Sequence, residues 1–281
     1  KQFITLGYKN INDEIANFNP ADFTFTNKEN RQRNILEAKY ELKRSTAFNK
    51  SSIELSVLGE SYERAQASFQ SSYIRTTLEA THSIFYAKNK RKSFDIRLFA
   101  GGFPFYNRGR AGGSFPLTLT SQGYNDWFYD DFYFGRSENS GFLSKQINLG
   151  NGGFKVPIYE SPTDVPDGLL VNDPDNDYGE TNSFVMTMNL KADLPMNLPL
   201  NIPIKPYLDF GVFDHKISGE LEFVYNGGIA LDLFDGILGV YFPLFGTEAL
   251  MSQQPNFGSR ISFNLDLNRL NGFEALRNIS M

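Results

Sequence analysis

The chain has 281 residues, a formal net charge of −5 with histidine neutral, 15% aromatic residues and no cysteine. The acidic balance argues against nucleic acid as a partner, and the missing thiols exclude a disulfide, a thiolate metal site and a cysteine nucleophile without fixing the compartment. Twenty-seven Phe and 14 Tyr against a single Trp fit β structure or an interfacial aromatic girdle.

The chain opens on KQFITLGYKN, already strand-like and with no secretory leader before it, the pattern of a piece processed from a longer protein. Leu36, Ala38, Tyr40 and Leu42 then alternate with Glu37, Lys39, Glu41 and Lys43. Ile74, Thr76, Leu78 and Ala80 alternate with Arg75, Thr77, Glu79 and Thr81, and Phe94, Ile96 and Leu98 with Asp95 and Arg97. Strict period two gives a strand one apolar and one polar face. Residues 36–100 are therefore dense in strands joined by short turns.

Residues 101–180 break the pattern, with GGFPFYNRGRAGGSFP, the aromatic run YNDWFYDDFYFGR, GNGGFKVP and PDGLLVNDPDNDYGE. So long an irregular insert is uncommon in a soluble domain, whereas a membrane barrel carries long loops on one rim. Strands resume at 183–194, 208–212 and 220–233. The apolar stretch 227–246 holds Asp232, Asp235, Pro243 and several glycines, so it reads as two strands about a Phe234-Asp235-Gly236 turn rather than a transmembrane helix. GSRISFNLDL (258–267) alternates again, with Arg260 and Asp266 on its polar face, and residues 268–281 form a tail. Asn256, Gly258, Ile261 and Phe263 follow the spacing that closes many outer-membrane barrels.

Runs longer than ten residues exceed the usual soluble strand and suit membrane-spanning ones of about 9–11 residues. Residues 1–281 are thus expected to form one all-β domain, an antiparallel outer-membrane β-barrel of about 8–12 strands. Residues 101–180 would be its plug-like insertion and 268–281 its C-terminal tail. Its apolar faces would meet lipid and its mixed charges the lumen. A soluble β-sandwich, with those faces turned inward, is the alternative.

DWFYDDFYFGRSENSGFLSKQINLGNGGFK (126–155) resembles the C-terminal β-rich domain of aminopeptidase-N-like zinc metallopeptidases (gluzincins) of Gram-negative bacteria. So do KPYLDFGVF (205–213), FVYNGGIALDLFDGILGVYFPL (223–244) and RISFNLDLNRLNGFEALRNI (260–279). The resemblance implies a bacterial outer-membrane barrel that anchors or scaffolds a peptidase module or partner protein in outer-membrane lipid, itself non-catalytic. Peptidase chemistry requires H-E-x-x-H. This chain has only His82 and His215, in the contexts THSIF and FDHKI. A second, looser likeness is to outer-membrane insertase barrels, whose lumenal loop carries an Arg-Gly-aromatic signature; here the order is Phe134-Gly135-Arg136. Two further functions are open: a solute-conducting or assembly-related barrel gated by 101–180, and a rim hydrolase using Asp214, His215 or a loop serine.

Among site candidates, Asp173, Asp175, Asp177 and Glu180 in DPDNDYGE resemble the start of a calcium loop, the one cofactor the sequence suggests. Gly179 falls one position late and no Glu stands at the twelfth position, so a solvated acidic loop is the other reading. Tyr124, Trp127, Phe128, Tyr129, Phe132, Tyr133 and Phe134, interleaved with Asp126, Asp130 and Asp131, read as a plug or packed mini-core, or as a stacking site for carbohydrate or peptide. Arg108 and Arg110 suit either a lipid-headgroup contact or a glycine-rich turn.

Overall fold

The structure, a computed structural model, describes residues 1–19, 24–64, 69–87, 92–107, 115–136, 141–158, 178–195, 203–215, 219–254 and 256–267. Five long strands come first: β1 (Gln2–Asn19), β2 (Thr24–Ser45), β3 (Asn49–Arg64), β4 (Phe69–Ala87) and β5 (Lys92–Asn107). The inserted region holds four two-residue strands, β6 (Leu117–Thr118), β7 (Ser121–Gln122), β8 (Ile147–Asn148) and β9 (Glu180–Thr181). β10 (Phe184–Ala192), β11 (Ile204–Asp214), β12 (Leu221–Leu233), β13 (Leu238–Gly246) and β14 (Ser262–Leu265) complete the chain, with short helices α1 (Glu248–Ser252) and α2 (Phe257–Arg260) between the last two strands.

Ten strands form one antiparallel sheet in the order β1-β2-β3-β4-β5-β10-β11-β12-β13-β14. Each lies beside its neighbour in the chain, and the inserted region interrupts the meander only between β5 and β10. The register aligns the outward residues in rows. Ile4, Tyr40, Leu55, Leu78, Ala100, Met186, Val212 and Phe223 stand directly opposite one another across eight successive strands. Opposed residues share a face, so this is one continuous apolar band. It is exposed: Ile4 by 77%, Leu6 by 79% and Leu36 by 65%.

The other face turns inward against residues 115–158. Lys9 on β1 pairs with Asp130. Arg33 on β2 donates to the Trp127 carbonyl, Arg97 on β5 to that of Asn151, and Asn189 on β10 to that of Gly152. On β11, Asp209 accepts from Lys155, and on β14 the Ser262 hydroxyl donates to the Lys155 carbonyl. The sheet therefore curls around the inserted segment from its first strand to its last.

Two rims follow from the meander. The lower rim carries Lys1, the 46–48 turn, residues 193–195, residue 203, the 234–237 turn and the end of β14 at Leu265. The expected turn is present there: Phe234–Gly236 makes one 3-10 turn, with positive φ at Phe234 and Gly236. The upper rim carries the end of β5, the start of β10 and the short helices α1 and α2.

The last strand departs from expectation. GSRISFNLDL gives only four strand residues, because Phe257–Arg260 turns into α2 and Arg260 donates to the Gln254 carbonyl. The face of β14 expected to lie bare is also covered: Phe142 of the inserted segment stacks on Phe263 at 4.7 Å, and the Gln146 backbone bridges Phe263. With its edge so occupied, β14 pairs only with β13 among the described residues. Among the described residues β1 pairs only with β2, and the sheet is not closed into a barrel.

Candidate functional site

The upper half of the interior holds an apolar core. Leu117, Leu119, Phe154, Val156 and Ile158 of the inserted segment pack against Phe99, Val185, Phe213 and Val224 on the wall, with Leu250 and Met251 of α1 above. Gly211 packs closely there: a Cβ would stand 3.0 Å from the Phe154 ring, which would have to shift by a few tenths of an ångström.

Below this core, the stretch Asn151-Gly152-Gly153-Phe154-Lys155 is clamped to three adjacent strands. Arg97 reaches the Asn151 carbonyl at 2.7 Å, Glu79 at 2.6 Å and the Asn189 side-chain oxygen at 2.9 Å. Asn189 in turn donates to the Gly152 carbonyl and to Asp209. The Lys155 ammonium donates to Asp209 at 2.6 Å and to its own chain at Gly153, and the two side chains are 6% and 0% exposed. Burial pushes the Lys155 amine down, and the Asp209 carboxylate opposes this. Gly153 lets the chain come so close: its φ is +66°, and a Cβ would stand 2.7 Å from Arg97 Nη1.

A second clamp holds the aromatic run. Arg33 grips Glu60 through two nitrogens at 2.6 and 3.1 Å, both side chains fully buried, and lies 3.7 Å above the Phe115 ring. Tyr73 donates to the same Glu60. Trp127 and Phe128 pack against this cluster, while Tyr129, Phe132 and Phe134 remain exposed. The run is thus divided. Part of it is the expected packed plug, and part faces open space.

Between the lower side of the inserted segment and the wall lies a chamber of about 590 Å³. Asp131, Phe132, Tyr133 and Asn148 form its roof, and the walls include Glu79, Arg97, Lys191, Asp232 and Asp266. Ion pairs run around it: Arg97 with Glu79, Lys191 and Lys205 with Asp232, and Lys205 with Asp193. Burial raises the Asp131 carboxyl, and neighbouring Asp126 adds to this; Arg136, bound to Asp126 at 2.7 Å, opposes it. Tyr133 is buried, its phenol pushed well up first by burial and then by Asp131, and its hydroxyl has no hydrogen-bond partner among the described residues.

No protein-family model matches the chain, and no curated protein matches it.

The other candidates scatter. Asp173, Asp175 and Asp177 lie outside the described residues, as do Arg108, Arg110 and the tail 268–281. Glu180 is buried in β9 opposite Thr118. His82 is on the outward face of β4, where its Nδ1 meets the Ser51 hydroxyl at 2.7 Å, far along the sheet from His215. His215 packs against Tyr178 and Phe213 at the upper rim, beside Asp214. The Tyr178 phenol there is raised by burial and by Glu222. Sequence reasoning missed the clamps. Their only signal was a set of polar residues at inward positions, with nothing to single out Arg33, Asp209 or Lys155 among them.

Proposed function

We propose that the chain is an outer-membrane β-barrel that anchors or scaffolds a peptidase module or partner protein, with its lumen held shut by the inserted segment and no catalysis of its own. The observation that carries this reading is the inversion of the sheet, whose exposed face is an apolar band while its covered face holds the ion pairs. Water would disfavour such a surface, and a bilayer would favour it. A shallow apolar groove over Leu190, Pro206, Leu208, Ile229 and Phe245 lies on the same outward face and suits an acyl chain. Open strand edges are not tolerated in hydrocarbon, so the proposal includes closure of the sheet at its β1 edge. By the usual arrangement of such barrels the short turns of the lower rim face the periplasm, where a tethered module would sit. The resemblance of residues 126–155 to gluzincin C-terminal domains supports a peptidase as that module.

The test is to express the chain behind a signal peptide, fractionate the cells, and run the membrane fraction unheated and heated on a denaturing gel. A heat-modifiable band in the outer-membrane fraction is expected. A protein soluble without detergent would overturn the reading. The chamber favours one alternative, a gated conduit. That version requires conductance in planar bilayers once residues 115–158 are deleted, against silence from the intact chain.

A further inference from the structure

We infer that β1 is not an edge in the assembled barrel: its open side takes antiparallel β-strands from outside residues 1–281, and with them the sheet closes as a barrel wider than ten strands. The inference rests on the membrane-barrel reading and names what closes it. Along β1, 18 residues long, every second residue points its backbone N–H and C=O away from β2. Among the described residues nothing pairs with that side, and hydrocarbon does not tolerate such a row. The last strand of the chain does not match it. β14 offers four residues, and its own edge is taken: Gln146 bridges Phe263, Phe142 stacks on the same ring, and Lys145 donates to the Gly258 carbonyl at 2.8 Å. A second copy does not fit either. Copies in one membrane point the same way, and seen from the lipid β2 lies on the same hand of β1 in each, so two β1 edges never face one another. The β14 edge of a second copy is blocked like that of the first.

The interior supplies a separate argument. Barrels of about eight strands are filled by their own side chains, and lumens that hold a plug belong to much wider ones. This sheet already surrounds an inserted segment with an apolar core above and a chamber of about 590 Å³ below. Drawing β1 up to β14 would narrow the lumen onto both. The inserted segment moreover spans the opening: Asp130 pairs with Lys9 on β1, and Gln146 reaches β14. Phe132 and Phe134 flank Gln146, whose side chain donates to the Phe132 carbonyl and accepts from the Phe134 backbone. Both rings are exposed, and they meet edge to face at 5.0 Å. An exposed apolar patch of this kind marks an interaction surface, and strands added at β1 pass over it. The chemistry of the partner follows from β1. Ile4, Leu6 and Tyr8 on the outward face call for apolar residues alongside, and Thr5 and Lys9 on the inward face for polar ones. Every pair in the ten-stranded sheet is antiparallel, so the first added strand descends toward Lys1.

The inserted segment ties β1, β2, β5, β10, β11 and β14 together, so the full chain in detergent keeps its compact fold and serves as it stands. The experiment follows its backbone hydrogen exchange over residues 2–12 by mass spectrometry. The chain is measured alone, with a synthetic strand-length peptide that alternates leucine with threonine and lysine, and with a peptide of the same composition whose leucines form one block. About half of the β1 amides, those on the open side, should exchange fast in the chain alone. The alternating peptide should slow them roughly tenfold or more, and the block peptide should not. Leu6→Cys, the sole thiol in a chain without cysteine, should form no disulfide dimer in membranes. Slow β1 amides in the chain alone, a Leu6→Cys dimer in high yield, or the same slowing or none with both peptides would each overturn the inference. Its failure is separable from that of the anchoring reading: a soluble chain whose β1 takes the alternating peptide defeats only anchorage, and a membrane-embedded chain whose β1 amides are already slow defeats only the added strands.

Discussion

Replacing Lys155 by Met tests whether the inserted segment is locked to the wall by charge. The substitution nearly conserves side-chain volume, so packing around Phe154 and Val156 is left in place. What it removes is the cation 2.6 Å from Asp209, a carboxylate with no exposed surface whose remaining side-chain donor is Asn189. Deleting one member of a buried pair typically costs about 3–5 kcal/mol, because the other charge is left uncompensated. For a chain of this size that corresponds to roughly 5–15 °C in unfolding temperature. The assay is the temperature at which the compact gel band converts to the unfolded one in detergent. Lys155→Met combined with Asp209→Asn should recover most of the loss, since no buried charge then lacks a partner. If the single variant melts like the parent, or the double variant is no better than the single one, the lock is not electrostatic and the argument fails.

Three further outcomes are expected. Leu55→Arg, in the middle of the outward row, should cost about 2–4 kcal/mol if that face meets lipid and within about 0.5 kcal/mol if it meets water; unfolding midpoints of the two proteins decide between them. Gly153→Ala should lower the unfolding temperature clearly more than Gly141→Ala: both positions have positive φ, but only at Gly153 does the new Cβ strike Arg97 and Asn189, and equal shifts would refute the clamp. Because the Asp131 pKa is raised in the folded chain, the folded state holds the proton where the unfolded one has released it. Its contribution to stability is therefore present below the ordinary carboxylate range and is lost as pH rises through the raised value. Asp131→Asn should accordingly melt higher than the parent at neutral pH and lose that advantage in acid, as thermal melts across pH will show.

Much of the sheet was legible in the chain itself. Period-two alternation is a local property, so the strands around Leu36, Ile74, Phe94, Met186, Phe210 and Phe223 could be placed from their own residues, as could the Phe234-Asp235-Gly236 turn. The contrast between these runs and residues 101–180 likewise marked the inserted region. Alternation alone is blind to direction, however: the same apolar stripe serves an inward or an outward face. Only the fold decided that, by laying the inserted segment against the charged side and leaving Ile4, Leu55 and Leu78 bare. β14 shows the limit from the other side, since its alternation is as regular as any, yet α2 shortens it and Phe142 covers Phe263. The clamps were beyond reach for the same reason. Arg33 with Glu60, and Lys155 with Asp209, lie 27 and 54 positions apart, and their partnership exists only once ten strands have curled around one loop. The chamber is likewise a property of what the wall leaves between itself and the inserted segment, which no stretch of residues encodes by itself.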